Sequence, residues 1–179
     1  MVEQDTAPEN AFLDAINKIR DAARPVMSWP APLQSKAAAT LLQSVLDAEI
    51  ACVMRYTMIS VSETGLRHGS IGAEFQEQAN DERRHMSLAA ARIEALGGKP
   101  DFSAQAALQA AMPADSRRAF CNQIRENLEA EQAVIAHYRD LIRFFEGRDA
   151  ETCRLLEDIV RDEEDHTSDI EDLLASYGS

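Results

Sequence analysis

Apolar residues recur every three or four positions along four long stretches of the chain, which is the period of an amphipathic α-helix. The stretches cover residues 35–62, 71–96, 115–146 and 150–175. Short glycine-containing turns join the first stretch to the second and the third to the fourth, whereas a longer crossover joins the two pairs. This pattern predicts an all-α fold, a four-helix bundle of two antiparallel helix pairs joined by a long crossover.

An extra N-terminal helix is predicted before the bundle. The segment TAPENAFLDAINKIRDAA opens with a capping-box pattern, Thr6 with Glu9, and we expect its helix to stop before Pro25. The following ARPVMSWPAPLQS holds three prolines and is typical of a linker. We therefore divide the chain into the N-terminal helix with its Pro-containing linker, residues 1–34, and the bundle, residues 35–179.

Composition narrows the classes of function. The 179 residues carry a net charge of −13 with basic residues interleaved among acids, so we expect no nucleic-acid partner. There is no signal-peptide pattern and no run of about 18 apolar residues, so we expect a cytoplasmic protein with no membrane partner. The three cysteines are widely spaced, which argues against a disulfide framework.

The apolar stripe of each bundle helix is interrupted by one glutamate. In the second and fourth helices a histidine follows that glutamate after three residues, on the same helix face. A buried, unpaired carboxylate costs several kcal/mol, so an acid in a core position is expected to be paired or bound to a metal. The six candidate metal ligands are Glu49, Glu82, His85, Glu131, Glu163 and His166.

The spacing of these glutamates agrees with their meeting at one level of the bundle. Glu49 and Glu82 are 82 − 49 = 33 residues apart, and Glu131 and Glu163 are 163 − 131 = 32 apart. Residues equidistant from a turn lie side by side in an antiparallel pair, and both midpoints fall in predicted turns. The chain is therefore a twofold repeat of Glu…Glu-x-x-His that converges on the bundle centre.

The identity of the inward acid in the third bundle helix depends on the helix phase. Helix residues two positions apart point about 200° away from each other, so only one of Glu129 and Glu131 can face the bundle axis. Glu131 lies three residues after Leu128 and four before Ile135, both in the apolar stripe. The pattern therefore selects Glu131 and predicts an outward Glu129.

Four carboxylates and two imidazoles at one level need a counter-charge. Two divalent cations supply +4 against −4 from the glutamates, with each histidine as a neutral donor. Mixed carboxylate and imidazole ligands favour iron or manganese over magnesium, and the absence of thiolates argues against structural zinc. The same ligand pattern is found in di-iron and di-manganese carboxylate bundles.

The segments DAEIACVMRY, ANDERRHM and VRDEEDH resemble the bacterioferritin branch of the ferritin-like superfamily over residues 36–175. The resemblance implies a ferritin-like fold and a ferroxidase centre in which the six residues bind two Fe ions per subunit, with Glu82 and Glu163 as bridges. It implies oxidation of Fe(II) by O2 or H2O2 and storage of the ferric product in a hollow homo-oligomer of 12 or 24 subunits. Tyr56 matches a bacterioferritin tyrosine that can donate an electron, although packing in the core is an equal alternative.

The chain departs from bacterioferritins at the haem site. Those proteins carry a haem-ligating methionine directly after the first Glu-x-x-His glutamate, where this chain has Arg83, so no haem is expected. We expect Cys121 and Cys153 to be far apart and unpaired, and Cys52 to be a small buried residue. We expect His68 and His137 to be ordinary surface histidines.

Other functions use the same ligand set. A manganese catalase carries both half-motifs, and so does a di-iron oxygenase or peroxidase that stores no iron. A rubrerythrin-type peroxidase usually has a Cys-x-x-Cys module, and a hydroxylase of greasy substrates needs an exposed apolar patch; the sequence indicates neither. A bundle that holds metal without enzymatic activity is a further alternative.

Overall fold

The computed structural model describes residues 10–28, 34–65, 69–103 and 117–177. Within these ranges the chain forms five α-helices and no strand, which confirms the predicted fold class. The helices are α1 (Ala11–Met27), α2 (Ser35–Gly65), α3 (Gly69–Ala95), α4 (Arg117–Phe145) and α5 (Ala150–Tyr177). The predicted capping box of Thr6 and Glu9 lies outside the described residues, as does most of the crossover.

Helices α2 to α5 form the bundle as two closely packed pairs, α2 with α3 and α4 with α5. The turn of the second pair is held by Gly147, whose φ of 70° lies in the left-handed region that favours glycine. In that turn the backbone N–H groups of Arg148 and Asp149 both donate to the carbonyl of Phe145, at 2.8 and 2.9 Å. The turn reverses the chain within four residues, so α4 and α5 run antiparallel along their whole length.

Helix α1 lies against α2 and α4, the two bundle helices that carry a glutamate without a following histidine. Its apolar residues Phe12 and Ile16 are at most 1% exposed. Its polar side is tied to α4 by an ion pair between Arg20 and Asp140, 2.9 Å. The extra helix is therefore part of the same packed body as the bundle.

The prediction that the first helix stops before Pro25 is wrong, because α1 continues through Pro25 to Met27. Proline lacks an N–H and removes one helical hydrogen bond, but an exposed position close to the C-terminal end limits the loss to that bond. The backbone N–H of Ser28 still donates to the carbonyl of Arg24 at 3.1 Å.

Helix α2 is the most apolar helix of the bundle. By length and composition alone, its segment Ser35–Glu63 is long and apolar enough to cross a membrane, which the sequence pattern did not predict. More than half of that apolar window is buried inside the fold, so the composition is that of a core helix. Glu49 lies within the same segment and faces the bundle interior, 1% exposed.

Candidate metal centre

The structure brings the six predicted residues together in the middle of the bundle. All four glutamates are at most 1% exposed and the two histidines at most 5%. Each glutamate comes from a different helix, so the centre exists only when all four bundle helices are packed. The members of the centre are Glu49 on α2, Glu82 and His85 on α3, Glu131 on α4, and Glu163 and His166 on α5.

The six side chains form two overlapping groups of ligand atoms. Only the first group contains Glu49 and His85, and only the second contains Glu131 and His166. Both groups also contain Glu82 and Glu163, and the ligand atoms within each group lie within 4.8 Å of one another. Each group has enough ligand atoms to hold a metal ion, and the two groups share two glutamates.

Both histidines turn the same ring nitrogen toward the carboxylates. His85 Nδ1 lies 3.1 Å from Glu163 Oε1 and 3.4 Å from Glu82 Oε2. His166 Nδ1 lies 3.2 Å from Glu163 Oε2 and 3.3 Å from Glu82 Oε1. The ring centroids are 6.4 Å apart, so each imidazole serves one end of the centre.

The opposite ring nitrogens face two aspartates that the sequence analysis did not predict as partners of the histidines. Asp162 Oδ2 lies 3.0 Å from His85 Nε2, and Asp81 Oδ2 lies 3.7 Å from His166 Nε2. Metal-binding histidines commonly donate their second N–H to a carboxylate, which fixes the ring and its tautomer. The signal was in the sequence, because an aspartate directly precedes each glutamate of the two Glu-x-x-His motifs.

Two buried tyrosines donate to the glutamates that stand outside the motifs. The hydroxyl of Tyr56 donates to Glu131, and that of Tyr138 donates to Glu49 at 2.5 Å. Both tyrosines are fully buried. The sequence analysis did not assign Tyr138 to the centre, although it follows Glu131 at the same interval at which Tyr56 follows Glu49.

Each of the four carboxylates keeps one buried oxygen to which no donor is well aligned, although a histidine Nδ1 lies 3.1 Å from that of Glu163 and 3.3 Å from that of Glu82. A buried acceptor without a partner costs about 1–3 kcal/mol, so carboxylate oxygens that lack a well-aligned donor destabilise the metal-free fold. Cations placed between the carboxylates satisfy all four at once, and a ligand set of carboxylates and imidazoles fits such ions. The oxygens without a well-aligned donor are Glu49 Oε2, Glu82 Oε1, Glu131 Oε2 and Glu163 Oε1.

Proton binding at the centre reflects the same crowding of negative charge. Burial raises the pKa of Glu82 and of Glu131, and the neighbouring carboxylates of Glu49 and Glu163 raise it further. Burial opposes a charge on the imidazoles, but hydrogen bonds to the glutamates raise the pKa of His166 to about 12 and that of His85 well above its ordinary range. Metal ligands must be deprotonated, so these raised pKa values oppose metal binding at low pH.

Near the centre, Glu129 is exposed and Glu131 fully buried, as the apolar stripe predicted. The three cysteines are free thiols. Cys52 is buried one turn from Glu49, and burial together with the charge of Glu131 raises the pKa of its thiol well above the ordinary value. A thiol held protonated in this way is a poor nucleophile and a poor metal ligand.

The prediction that His137 lies on the surface is wrong. Its side chain is 1% exposed, and its Nε2 lies 2.8 Å from the hydroxyl of Ser44 on α2. Burial and the positive charge of Arg20 lower the pKa of His137 to about 4. His137 lies outside the stripe of α4 that faces the bundle axis, on the side that α1 covers. The prediction considered only the four bundle helices, so it left out the burial by α1. His68 lies outside the described residues.

The fold and the centre define a class of protein, an all-α bundle with the ligand set of a dinuclear carboxylate–imidazole site. The family model of the ferritin-like domain matches residues 39–177, and the chain belongs to this family. None of the curated proteins matches this chain.

Solved structures with the same fold include three related to bacterioferritin. A dodecameric thioferritin, the bacterioferritin-related protein from Bacteroides fragilis, is 23% identical with a TM-score of 0.71, covering 88% of this chain and 94% of its own. The bacterioferritin of Desulfovibrio desulfuricans, which has a di-iron site, is 21% identical with a TM-score of 0.66, covering 92% and 82%. That of Rhodobacter capsulatus, with a metal-free dinuclear site and haem iron, is 18% identical with a TM-score of 0.70, covering 83% and 89%.

Proposed function

We propose that this chain is a ferroxidase that oxidises Fe(II) at the buried centre and stores the ferric product in a hollow homo-oligomer. The observation that carries the proposal is the sharing of Glu82 and Glu163 between two groups of ligand atoms. Shared carboxylates hold two ions close together, and a pair of Fe(II) ions can deliver two electrons to one oxidant. Manganese in place of iron is the alternative that the same donor atoms allow.

Each of the two Fe(II) substrate ions has its own glutamate and histidine ligands, and the two ions share the remaining two glutamates. Glu49 with His85 binds one ion, Glu131 with His166 binds the other, and Glu82 with Glu163 reaches both. In each turnover two Fe(II) lose one electron each, and O2 with two protons becomes H2O2. When H2O2 is the oxidant, it takes two electrons and two protons and becomes two water molecules.

We assign Tyr56 a supporting role in the oxidation. Its hydroxyl donates to Glu131, so an electron can leave the phenol while its proton passes to that carboxylate. When H2O2 meets a centre that holds one Fe(II), that ion and the phenol each supply one of its two electrons, and a later Fe(II) reduces the tyrosyl radical as the proton returns from Glu131. Tyr56 is fully buried, which keeps the oxidised phenol away from solvent.

The storage part of the proposal requires an oligomeric shell. A shell of 12 or 24 subunits is supported by the fold shared with a dodecameric thioferritin and with bacterioferritins. The excess of acid in the chain, with a net charge of −13, suits a protein that handles cations. A cytoplasmic location belongs to the same proposal.

Anaerobic titration with Fe(II), followed by exposure to O2, tests the chemistry. We expect a break at two Fe(II) per chain and fast oxidation that is lost in Glu82→Ala and His166→Ala. Exposed Glu129→Ala is the matched control and should behave as the unmodified chain. Unchanged oxidation rates in both ligand variants would contradict the proposal.

Particle mass and iron capacity separate storage from the other functions of the same ligand set. A shell that takes up far more than two iron ions per chain is a store. A small oligomer that saturates at two ions per chain is an oxygenase or peroxidase. Catalase activity that requires Mn and not Fe would assign the centre to manganese chemistry.

A further inference from the structure

The N-terminal helix reaches one side of the metal centre through an aromatic contact. Phe12 on α1 is fully buried, and its ring packs edge-on against Tyr56 with 6.4 Å between the centroids. A second aromatic neighbour of Tyr56 is Phe75 on α3, with the ring centroids 5.5 Å apart. Two aromatic rings therefore contact the phenol, whose hydroxyl donates to Glu131.

The position of Phe12 is itself fixed by the bundle. Its backbone N–H donates to Glu126 Oε1 on α4 at 2.8 Å. The other oxygen of Glu126 pairs with Arg55 on α2 at 2.8 Å, and the Arg55 guanidinium lies 5.2 Å from the centre of the Phe12 ring. Arg55 also donates from Nε to Asn127 on α4 at 2.9 Å. Both helices that flank α1 therefore hold this ring in place.

The other tyrosine of the centre has different support. Tyr138 donates to Glu49 at 2.5 Å and lies 3.5 Å from the carbonyl oxygen of Val45. Its ring neighbours His137 on its own helix, with 5.7 Å between the centroids. The ligand sets of the two halves are nearly symmetric, but the contact with Phe12 is made on the Tyr56 side.

We propose that α1 acts through Phe12 as a positioning element for one half of the centre, the half formed by Glu131 and His166. The ring of Phe12 holds Tyr56 against Glu131, and the hydrogen bond from Tyr56 holds the Glu131 carboxylate in its ligand position. Phe12 therefore acts on the ligands through Tyr56. The inference rests on the two-ion site of the proposed function.

Removing the ring should weaken metal binding in that half and leave the other half unchanged. The Tyr56 side chain gains room to turn away from Glu131, and the carboxylate loses its donor and its preferred orientation. Loss of a residue that supports a metal ligand commonly lowers affinity by about 10- to 100-fold. Phe12 acts on the ligand Glu131 through Tyr56, so we expect the metal affinity to fall at the lower end of this range, by about tenfold.

Anaerobic titration of the full-length chain with Co(II), followed by visible absorption, measures each half separately. The Glu49→Gln background isolates the half with Glu131, and the Glu131→Gln background isolates the half with Glu49. Phe12→Ala should weaken Co(II) binding about tenfold in the first background and have no effect in the second. The control is Ile16→Ala, a substitution on α1 at a residue that is 1% exposed, and it should change neither half.

Each outcome separates this inference from the proposed function. If the unmodified chain binds fewer than two Co(II), the two-ion site is wrong whatever Phe12 does. If it binds two, but Phe12→Ala weakens both halves equally, weakens neither, or matches Ile16→Ala, the positioning role is wrong. Should Phe12→Ala fail to fold by circular dichroism, Phe12→Leu replaces it in the same scheme and is judged by the same difference between backgrounds.

Discussion

Tyr56 and Tyr138 occupy matching places in the two halves of the chain, and each donates to the glutamate of the other half. Tyr56 follows Glu49 by 56 − 49 = 7 residues and Tyr138 follows Glu131 by 138 − 131 = 7 residues, yet Tyr56 binds Glu131 and Tyr138 binds Glu49. This exchange links α2 to α4 across the centre through side chains alone. It completes a twofold pattern in which the aspartates Asp81 and Asp162 also support the histidine of the opposite motif.

Tyr138→Phe should destabilise the metal-free protein. The ring remains packed, but Glu49 loses its hydrogen bond in a fully buried setting, which costs about 1–3 kcal/mol in free energy of unfolding. Urea denaturation of the metal-free protein measures the change. Tyr56→Phe removes the matching bond to Glu131 and should give a loss of similar size; no loss in either variant would show that these bonds do not stabilise the fold.

Glu131→Ala should lose one bound metal ion and nearly all ferroxidase activity, whereas Glu129→Ala should change little. Glu131 is fully buried among the ligands and Glu129 is exposed on the far side of α4. We expect Glu129→Ala to alter stability by no more than about 0.5 kcal/mol. Metal content and initial rates of Fe(II) oxidation measure both variants. The reverse behaviour would overturn the assignment of Glu131 as the ligand.

Asp162→Asn should weaken metal binding without removing a ligand. The Asp162 carboxylate lies 3.0 Å from His85 Nε2. Without its negative charge the imidazole ring of His85 is oriented less firmly toward the metal site. Substitutions of this kind commonly lower metal affinity by about 10- to 100-fold. Competition with a chelator measures the affinity. Asp158→Asn, at an exposed ion pair with Arg161 on the same helix, is the control and should leave the affinity unchanged.

His137 should make the fold sensitive to acid between about pH 6.5 and pH 4. Burial lowers its pKa in the folded state to about 4, whereas an unfolded histidine titrates near about 6.5. As pH falls through this window, the unfolded chain gains a proton that the folded chain does not bind. The free energy of unfolding then decreases by up to about 1.4 kcal/mol per pH unit, and above the window His137 contributes no such loss.

His137→Gln removes this contribution, so its stability should depend less on pH than that of the unmodified chain across the window. Urea denaturation at a series of pH values gives both curves. Glutamine retains a donor for Ser44, which limits other effects of the change. Parallel curves for the two proteins would contradict the lowered pKa of His137.

Arg83 should prevent haem binding at the position where bacterioferritins carry methionine. Its guanidinium has no free electron pair to bind haem iron. It donates hydrogen bonds to Asn80 Oδ1 at 2.7 Å and to Thr57 Oγ1 at 2.8 Å. Protein purified from haem-replete cells should show no stoichiometric Soret band. A spectrum with two methionine ligands would contradict this and would direct attention to Met54, Met58 and Met86.

The sequence by itself determined the bundle and predicted the six Glu and His side chains that meet in its middle. Helical periodicity assigned the long helices, and a glutamate that interrupts an apolar stripe is conspicuous because an isolated buried charge is so costly. The stripe separated Glu131 from Glu129, and the hairpin spacings placed each pair of glutamates at one level. Such information is local or depends on simple antiparallel pairing, so it can be read without coordinates.

Only the tertiary structure decided the contacts that cross between helices not adjacent in sequence. The pairing of Asp162 with His85, the exchange of tyrosines between halves, and the contact of Phe12 with Tyr56 depend on how α2 and α3 pack on α4 and α5. His137 illustrates the limit: periodicity within the bundle gave it a surface position, and its burial follows from α1, whose docking site cannot be read from its own pattern. The periodicity of a helix predicts which of its faces is buried, but which neighbouring helix packs on that face depends on the tertiary packing.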